Sequence, residues 1–210
     1  MKQKIIELNE DSRIIIKNIG GDLTLAGWNR SEMQVHGCAK EDDIKQENNV
    51  ISFHCAGDGI LRLPHNVPVE VQKVGGDATA KDLDNPLTLN TVGGDLILRN
   101  VNAVTAKVVG GDISAKHTQG DLVVEKIGGD AMLRDLGGQF AATVGGDLSL
   151  RDISGGIDTT TGKDASVTFS PVPWQAYSIQ AGGDIFAQIP QDTNAEFELK
   201  SGSKKIHITI

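Results

Sequence analysis

Val92-Gly93-Gly94-Asp95-Leu96-Ile97-Leu98-Arg99-Asn100-Val101 is followed, 17 residues on, by Val109-Gly110-Gly111-Asp112-Ile113-Ser114-Ala115-Lys116-His117-Thr118. Both segments carry Gly-Gly-Asp, with apolar or small residues one and three places beyond the Asp. The tripeptide recurs along the chain, ending at Asp22, Asp77, Asp95, Asp112, Asp130, Asp147 and Asp184. From Asp77 to Asp147 its steps are 18, 17, 18 and 17 residues. A fixed period of this size marks a repeat architecture, whose units bury their apolar faces only by stacking on one another. The wider gaps, 55 residues from Asp22 to Asp77 and 37 from Asp147 to Asp184, are close to three and two units. Gly57-Asp58-Gly59 and Gly162-Lys163-Asp164 read as degenerate copies inside them.

Alignment on the Asp places the apolar residues in columns. Leu23, Ala78, Leu96, Ile113, Ala131, Leu148 and Ile185 stand one place after it, and Leu83, Val101, Leu136 and Ile153 stand six after. Ahead of the Asp, at three, six and eight places back, triplets such as Val92/Leu89/Leu87 and Ile127/Val124/Leu122 recur; Val144/Ala141/Gln139 departs only at Gln139. Each half-unit alternates apolar and polar residues, the mark of a half-buried strand and not of a helix. Second turn signals, such as Gln119-Gly120-Asp121 and Gly155-Gly156, fall midway through the units. Two strands and two turns make one coil. The reading is therefore all-β: a right-handed parallel β-solenoid of about ten coils with a 17–18-residue period. Ala78, Ala80, Ala106, Ala115 and Ala131 in core slots predict a narrow interior. The corner glycines are expected to supply positive φ, and each Asp to cap its turn by accepting backbone N–H groups.

Ile19-Gly20-Gly21-Asp22-Leu23-Thr24-Leu25-Ala26-Gly27-Trp28 and the Gly-Gly-Asp series after it resemble the bacterial adhesin-like β-solenoid family, which includes domains of unknown function. The resemblance runs from about Ile14 to Ile185. It implies a non-enzymatic repeat fold, and many members of that family look exported or membrane-tethered.

No linker divides the chain, so residues 1–210 read as one domain. Residues 1–71 hold N-terminal coils and a cap with a polar loop near 41–49. Residues 72–156 are the regular coils, and 157–210 the degenerate C-terminal coils and cap. Lys200, Lys204 and Lys205 flank the terminal strand-like Ile206-His207-Ile208-Thr209-Ile210, as charges that discourage edge pairing.

Composition narrows function. The chain has 210 residues, a net charge of −8 and 4% aromatic residues. That balance argues against nucleic acid as a partner. No run of 18 apolar residues predicts a membrane span, and Met1–Leu8 lacks a signal-peptide core, so a cytoplasmic location is expected. Cys38 and Cys55 are too few for a disulfide framework and read as buried thiols.

Two columns are candidate sites. The aspartates could line up as a calcium array, since calcium-binding nonapeptide rolls also use about 18 residues per coil, but here Asp follows Gly-Gly directly and the second glycine–Asp pairing of those rolls is missing. Neighbouring carboxylates at strand spacing repel by only roughly 0.9 kcal/mol in water. They read as structural turn residues, with no metal or cofactor. Lys81, Arg99, Lys116, Arg134 and Arg151, four places after the Asp, form a possible stripe for a protein or acidic polysaccharide. Acids next to them suggest a salt-bridged face instead. His36 and Cys38, with His54 and Cys55, do not converge as four ligands. No nucleophile–base pair, phosphate loop or dinucleotide fingerprint is present. The sequence points to a non-catalytic scaffold that assembles with itself through ends or faces. Outward Ile97, Met132 and Phe186 are a second possible contact face. A surface or polysaccharide-binding module is the alternative, and a carbohydrate-active β-helix enzyme a weaker one.

Overall fold

The computed structural model describes residues 3–37, 44–193, 197–203 and 205–209. They form two sheets, of 12 and 11 strands, with no helix among the described residues. The repeat unit is seen where β8 (Val69–Val74) leads through Gly75-Gly76-Asp77 into β9 (Ala78–Leu83) of the facing sheet. The chain then returns as β10 (Leu87–Val92) and β11 (Leu96–Val101), each parallel to its predecessor with Leu87 beside Val69 and Leu96 beside Ala78. The alternation continues to β22 (Phe197–Ser201) and β23 (Ile206–Thr209). Eight coils thus follow in chain order as a parallel β-solenoid.

The apolar columns line the space between the sheets. Leu96, Leu98 and Val101 of β11 are each buried to 2% exposure or less. Simple alternation would put the third inward residue five places after the Asp, yet it stands six after. The reason is a left-handed residue at the fifth place: Asp82, Asn100, His117, Asp135 and Asp152 have φ between 52° and 60°. One such residue reverses the side-chain phase, turning the corner residue inward. Asp, Asn and His tolerate this conformation better than other side chains.

The Gly-Gly-Asp glycines do not supply positive φ, contrary to the sequence expectation; among described glycines only Gly37 lies in that region. Their reason is contact between coils. The turns bond coil to coil as the strands do, with Gly93 N–H donating to Val74 O at 2.9 Å and Gly94 N–H to Gly76 O at 2.9 Å. A Cβ on Gly93 would stand 2.2 Å from Gly75 O, and one on Gly94 2.0 Å from Asp77 Oδ1. Neighbouring atoms occupy the space a side chain would need.

Two further differences concern the units with uneven spacing. Gln139 is not an inward residue: Phe140 fills that slot beside Leu122, because the strand Phe140–Val144 is one residue shorter than its neighbour and the register shifts between Val124 and Ile127. The 55-residue gap is not three successive coils. β2 (Arg13–Ile19) and β3 (Leu23–Trp28) pair directly with β8 and β9. The next coil in sequence, β6 (Val50–Cys55) and β7 (Gly59–Pro64), lies on their far side. The chain steps outward once, then returns to build the rod.

That outer coil is closed by antiparallel strands. β4 (Glu32–His36) pairs with β7, β1 (Gln3–Glu7) with β4, and β5 (Ile44–Glu47) with β6. Ile6 and Ile44, the inward apolar residues of the outermost strands, are each 8% exposed, while Ile5 faces outward at 53%. The opposite end, at β22 and β23, has no such covering among the described residues.

Candidate functional site

The aspartates form a continuous ladder. The Oδ1 of Asp22 accepts the Asp77 N–H at 2.9 Å, and that of Asp77 the Asp95 N–H at 2.8 Å. The chain of bonds passes through Asp95, Asp112, Asp130 and Asp147. Asp58 and Asp164 belong to the same ladder. Asp58 accepts from Asp22 N–H, Asp147 from Asp164, and Asp164 from Asp184. Ser203 Oγ–H donates to Asp184 Oδ1 at the last step. Each carboxylate therefore reaches the turn of the adjacent coil, and charge-assisted bonds offset the repulsion between neighbours. Among the described residues no cluster of three or more His, Cys, Asp or Glu is placed to hold a metal ion.

Lys81, Arg99, Lys116, Arg134 and Arg151 stand in strict register on the outer face of one sheet, on β9, β11, β13 (Ile113–Thr118), β15 (Ala131–Leu136) and β17 (Leu148–Ile153). All five are exposed. Their neighbours are the left-handed corner residues, which bond largely to one another. Asn100 Nδ2 donates to Asp82 Oδ1 at 2.8 Å, and His117 Nδ1 lies 2.8 Å from Asp135 Oδ2. Within the stripe, only Arg134 forms an ion pair among the described residues, at 3.6 Å from Asp152. The expected salt-bridge ladder is thus mostly absent there. A shallow groove beside the stripe is lined by Asn100, His117, Gln119, Asp135, Asp152 and Ser154.

The outward apolar residues do not make a continuous face. Ile97 and Met132 share a column but are separated by Ser114, and Ser149 and Ser166 intervene before Phe186. Phe186 stacks on His207, with ring centroids 5.0 Å apart.

His36 and His54 lie on different sheets and do not converge. Cys55 is buried and disulfide-bonded, which corrects the reading of it as a thiol. The sequence has one other cysteine, Cys38, which lies outside the described residues, as do residues 41–43, Lys204 and Ile210. Sequence spacing hid this link. Antiparallel pairing of β4 on β7 sets His36 against Ile60, and the turn at Gly37 packs against the Asp58 backbone.

Sequence alone marks the ends as association surfaces and leaves open which apolar residues the C-terminal end presents. Phe197 and Leu199 stack on Tyr177 and Ile179, and Ile206 and Ile208 on Ile185 and Ala187, so all four stand in core columns. Nothing described covers them: Ile206 is 41% and Ile208 51% exposed. Phe197 joins Phe169 and Tyr177 in an aromatic cluster, with centroids 5.0 to 6.0 Å apart. The inward alternation of Phe197-Glu198-Leu199-Lys200-Ser201 was the available signal.

No protein-family model matches this chain, and no curated protein matches it in sequence.

Proposed function

We propose that this protein is a non-catalytic scaffold that associates with copies of itself through its open C-terminal coil. The observation that carries the reading is the exposure of core-column residues Ile206 and Ile208 on an edge pair whose strands, among the described residues, are bonded on one side only. Edge strands with unpaired N–H and C=O groups and an apolar interior template further pairing. The polar chemistry of the body repeats coil after coil, as a scaffold requires, and the His117–Asp135 contact stands exposed within that repeat. The disulfide at Cys55 supports an oxidising compartment over the cytosol. Negative-stain microscopy of cross-linked material tests the reading. Rods longer than one solenoid are expected; uniform single-length rods at high concentration overturn it.

A second reading, a module binding an acidic polysaccharide or protein, draws on the members of the cationic stripe that form no ion pair among the described residues. Reversal of Arg99 and Arg134 to Glu tests it. Loss of retention on a uronate-bearing matrix supports the reading, and unchanged retention, or none by the parent, removes it.

A further inference from the structure

The two ends of the rod are unlike, and the difference limits how copies can join. At the N-terminal end the antiparallel strands β1, β4 and β5 extend the two sheets beyond the outer coil, and their inward residues Ile6 and Ile44 are each 8% exposed, while Ile5 of β1 faces outward at 53%. At the C-terminal end the equivalent inward residues Ile206 and Ile208 are 41% and 51% exposed. A head-to-tail contact would set the open apolar end against a sealed surface and waste most of its burial. Contact between two open ends buries both.

The outward residues of β22 favour the same arrangement. Glu198 and Lys200 flank Leu199 on the solvent face, with Nζ 2.5 Å from Oε1. If β22 pairs antiparallel with its own copy about Leu199, Glu198 of each strand stands opposite Lys200 of the other, twice over. Cross-strand opposite charges stabilise such pairs, and like charges oppose them. The inward side is self-complementary as well, because Leu199 meets its counterpart and Phe197 stands opposite Ser201. A lysine that guards an edge against general pairing thus admits one partner and one register.

We infer that two copies of this chain join tail to tail about a two-fold axis, with β22 pairing antiparallel across Leu199 and the Ile206–Ile208 ends closing over each other. The inference rests on the end-association reading above and adds its stopping point. An isologous contact consumes the open end of both copies. Both sealed ends then face outward, so assembly ends at a double-length rod. The footprint of two strands roughly 17 Å long on sheets about 10 Å apart is on the order of 400 Å² per copy, below the roughly 600–1,000 Å² per partner of standard stable interfaces. The dimer is therefore weak and concentration-dependent.

Sedimentation velocity from low to several hundred micromolar protein, with circular dichroism to verify folding, is the test. Glu198→Lys gives an all-basic β22 and Lys200→Glu an all-acidic one. Each variant alone is expected to dimerise about tenfold less well than the parent. An equimolar mixture is expected to recover dimer, because the basic strand of one copy faces the acidic strand of the other while neither strand repairs its own charge pattern. A parent that dimerises without recovery in the mixture overturns the two-fold register. Open-ended oligomers overturn the tail-to-tail arrangement but leave end association standing. A parent that stays monomeric throughout overturns both.

Discussion

Asp112 Oδ1 accepts the backbone N–H of Asp130 at 2.8 Å, although 18 residues separate them. The bond belongs to neither turn alone; it ties one coil to the next along the rod's corner. Asp112→Ala removes the acceptor, while Asp112→Asn keeps a carbonyl oxygen in its place. Both positions are solvent-exposed, so the expected loss for alanine is modest, about 1 kcal/mol, with asparagine costing less than half of that. Denaturant titration of the two variants distinguishes the ladder from a purely local turn cap. Equal losses would indicate that only the negative charge matters.

Glycine has two different meanings in this chain, and a matched pair of substitutions separates them. Gly93→Ala would push a Cβ to 2.2 Å from Gly75 O, a backbone atom that cannot yield without opening the stack. At Gly57, by contrast, an added Cβ would meet no heavy atom within 4 Å. The expected outcome is a loss of several kcal/mol for Gly93→Ala, and no loss, or a gain of about 0.5 kcal/mol, for Gly57→Ala. Melting temperatures of the purified variants decide it.

The left-handed corner makes a separate prediction. Asn100 has φ 52° and anchors its side chain on Asp82. A β-branched residue cannot adopt that conformation without strain, so Asn100→Val is expected to cost about 1–2 kcal/mol. Asn100→Gly, which accepts the same φ, is expected to stay within about 0.5 kcal/mol of the parent, since the lost hydrogen bond is exposed. Equal destabilisation by both would place the effect in the side-chain bond alone.

Thr118 occupies an inward corner slot that Val101 and Leu136 fill in the adjacent coils. It is 2% exposed, and its Oγ1 has no hydrogen-bond partner among the described residues. Burial of an unsatisfied hydroxyl is costly. Thr118→Val keeps the shape and removes the polar atom, and is expected to raise stability by about 1 kcal/mol. A destabilised variant would reveal a partner for the hydroxyl.

The period and the inward columns were legible because stacked coils impose the same burial on each unit: Leu96, Ile113 and Leu148 share one environment and hence one residue class. The register of the cationic stripe followed from the same period. What repetition could not reveal was the order of coils. Asp22, Asp58 and Asp77 follow one another in sequence, but the ladder runs Asp58, Asp22, Asp77, because the second coil crosses to the outside of the first. A spacing near three units fits either path. The purpose of the glycines was also hidden, since close approach and positive φ select the same residue. The ends were legible as edges, but the exposure of Ile206 and Ile208 was not, because a strand's pattern shows which side faces inward and not whether a further coil covers it.

Association through the coil end has a direct signature in small-angle X-ray scattering across a concentration series. The maximum dimension is expected to rise toward twice that of a single rod while the cross-sectional radius stays constant. A cross-section that grows with concentration, or a length that never changes, would contradict end association.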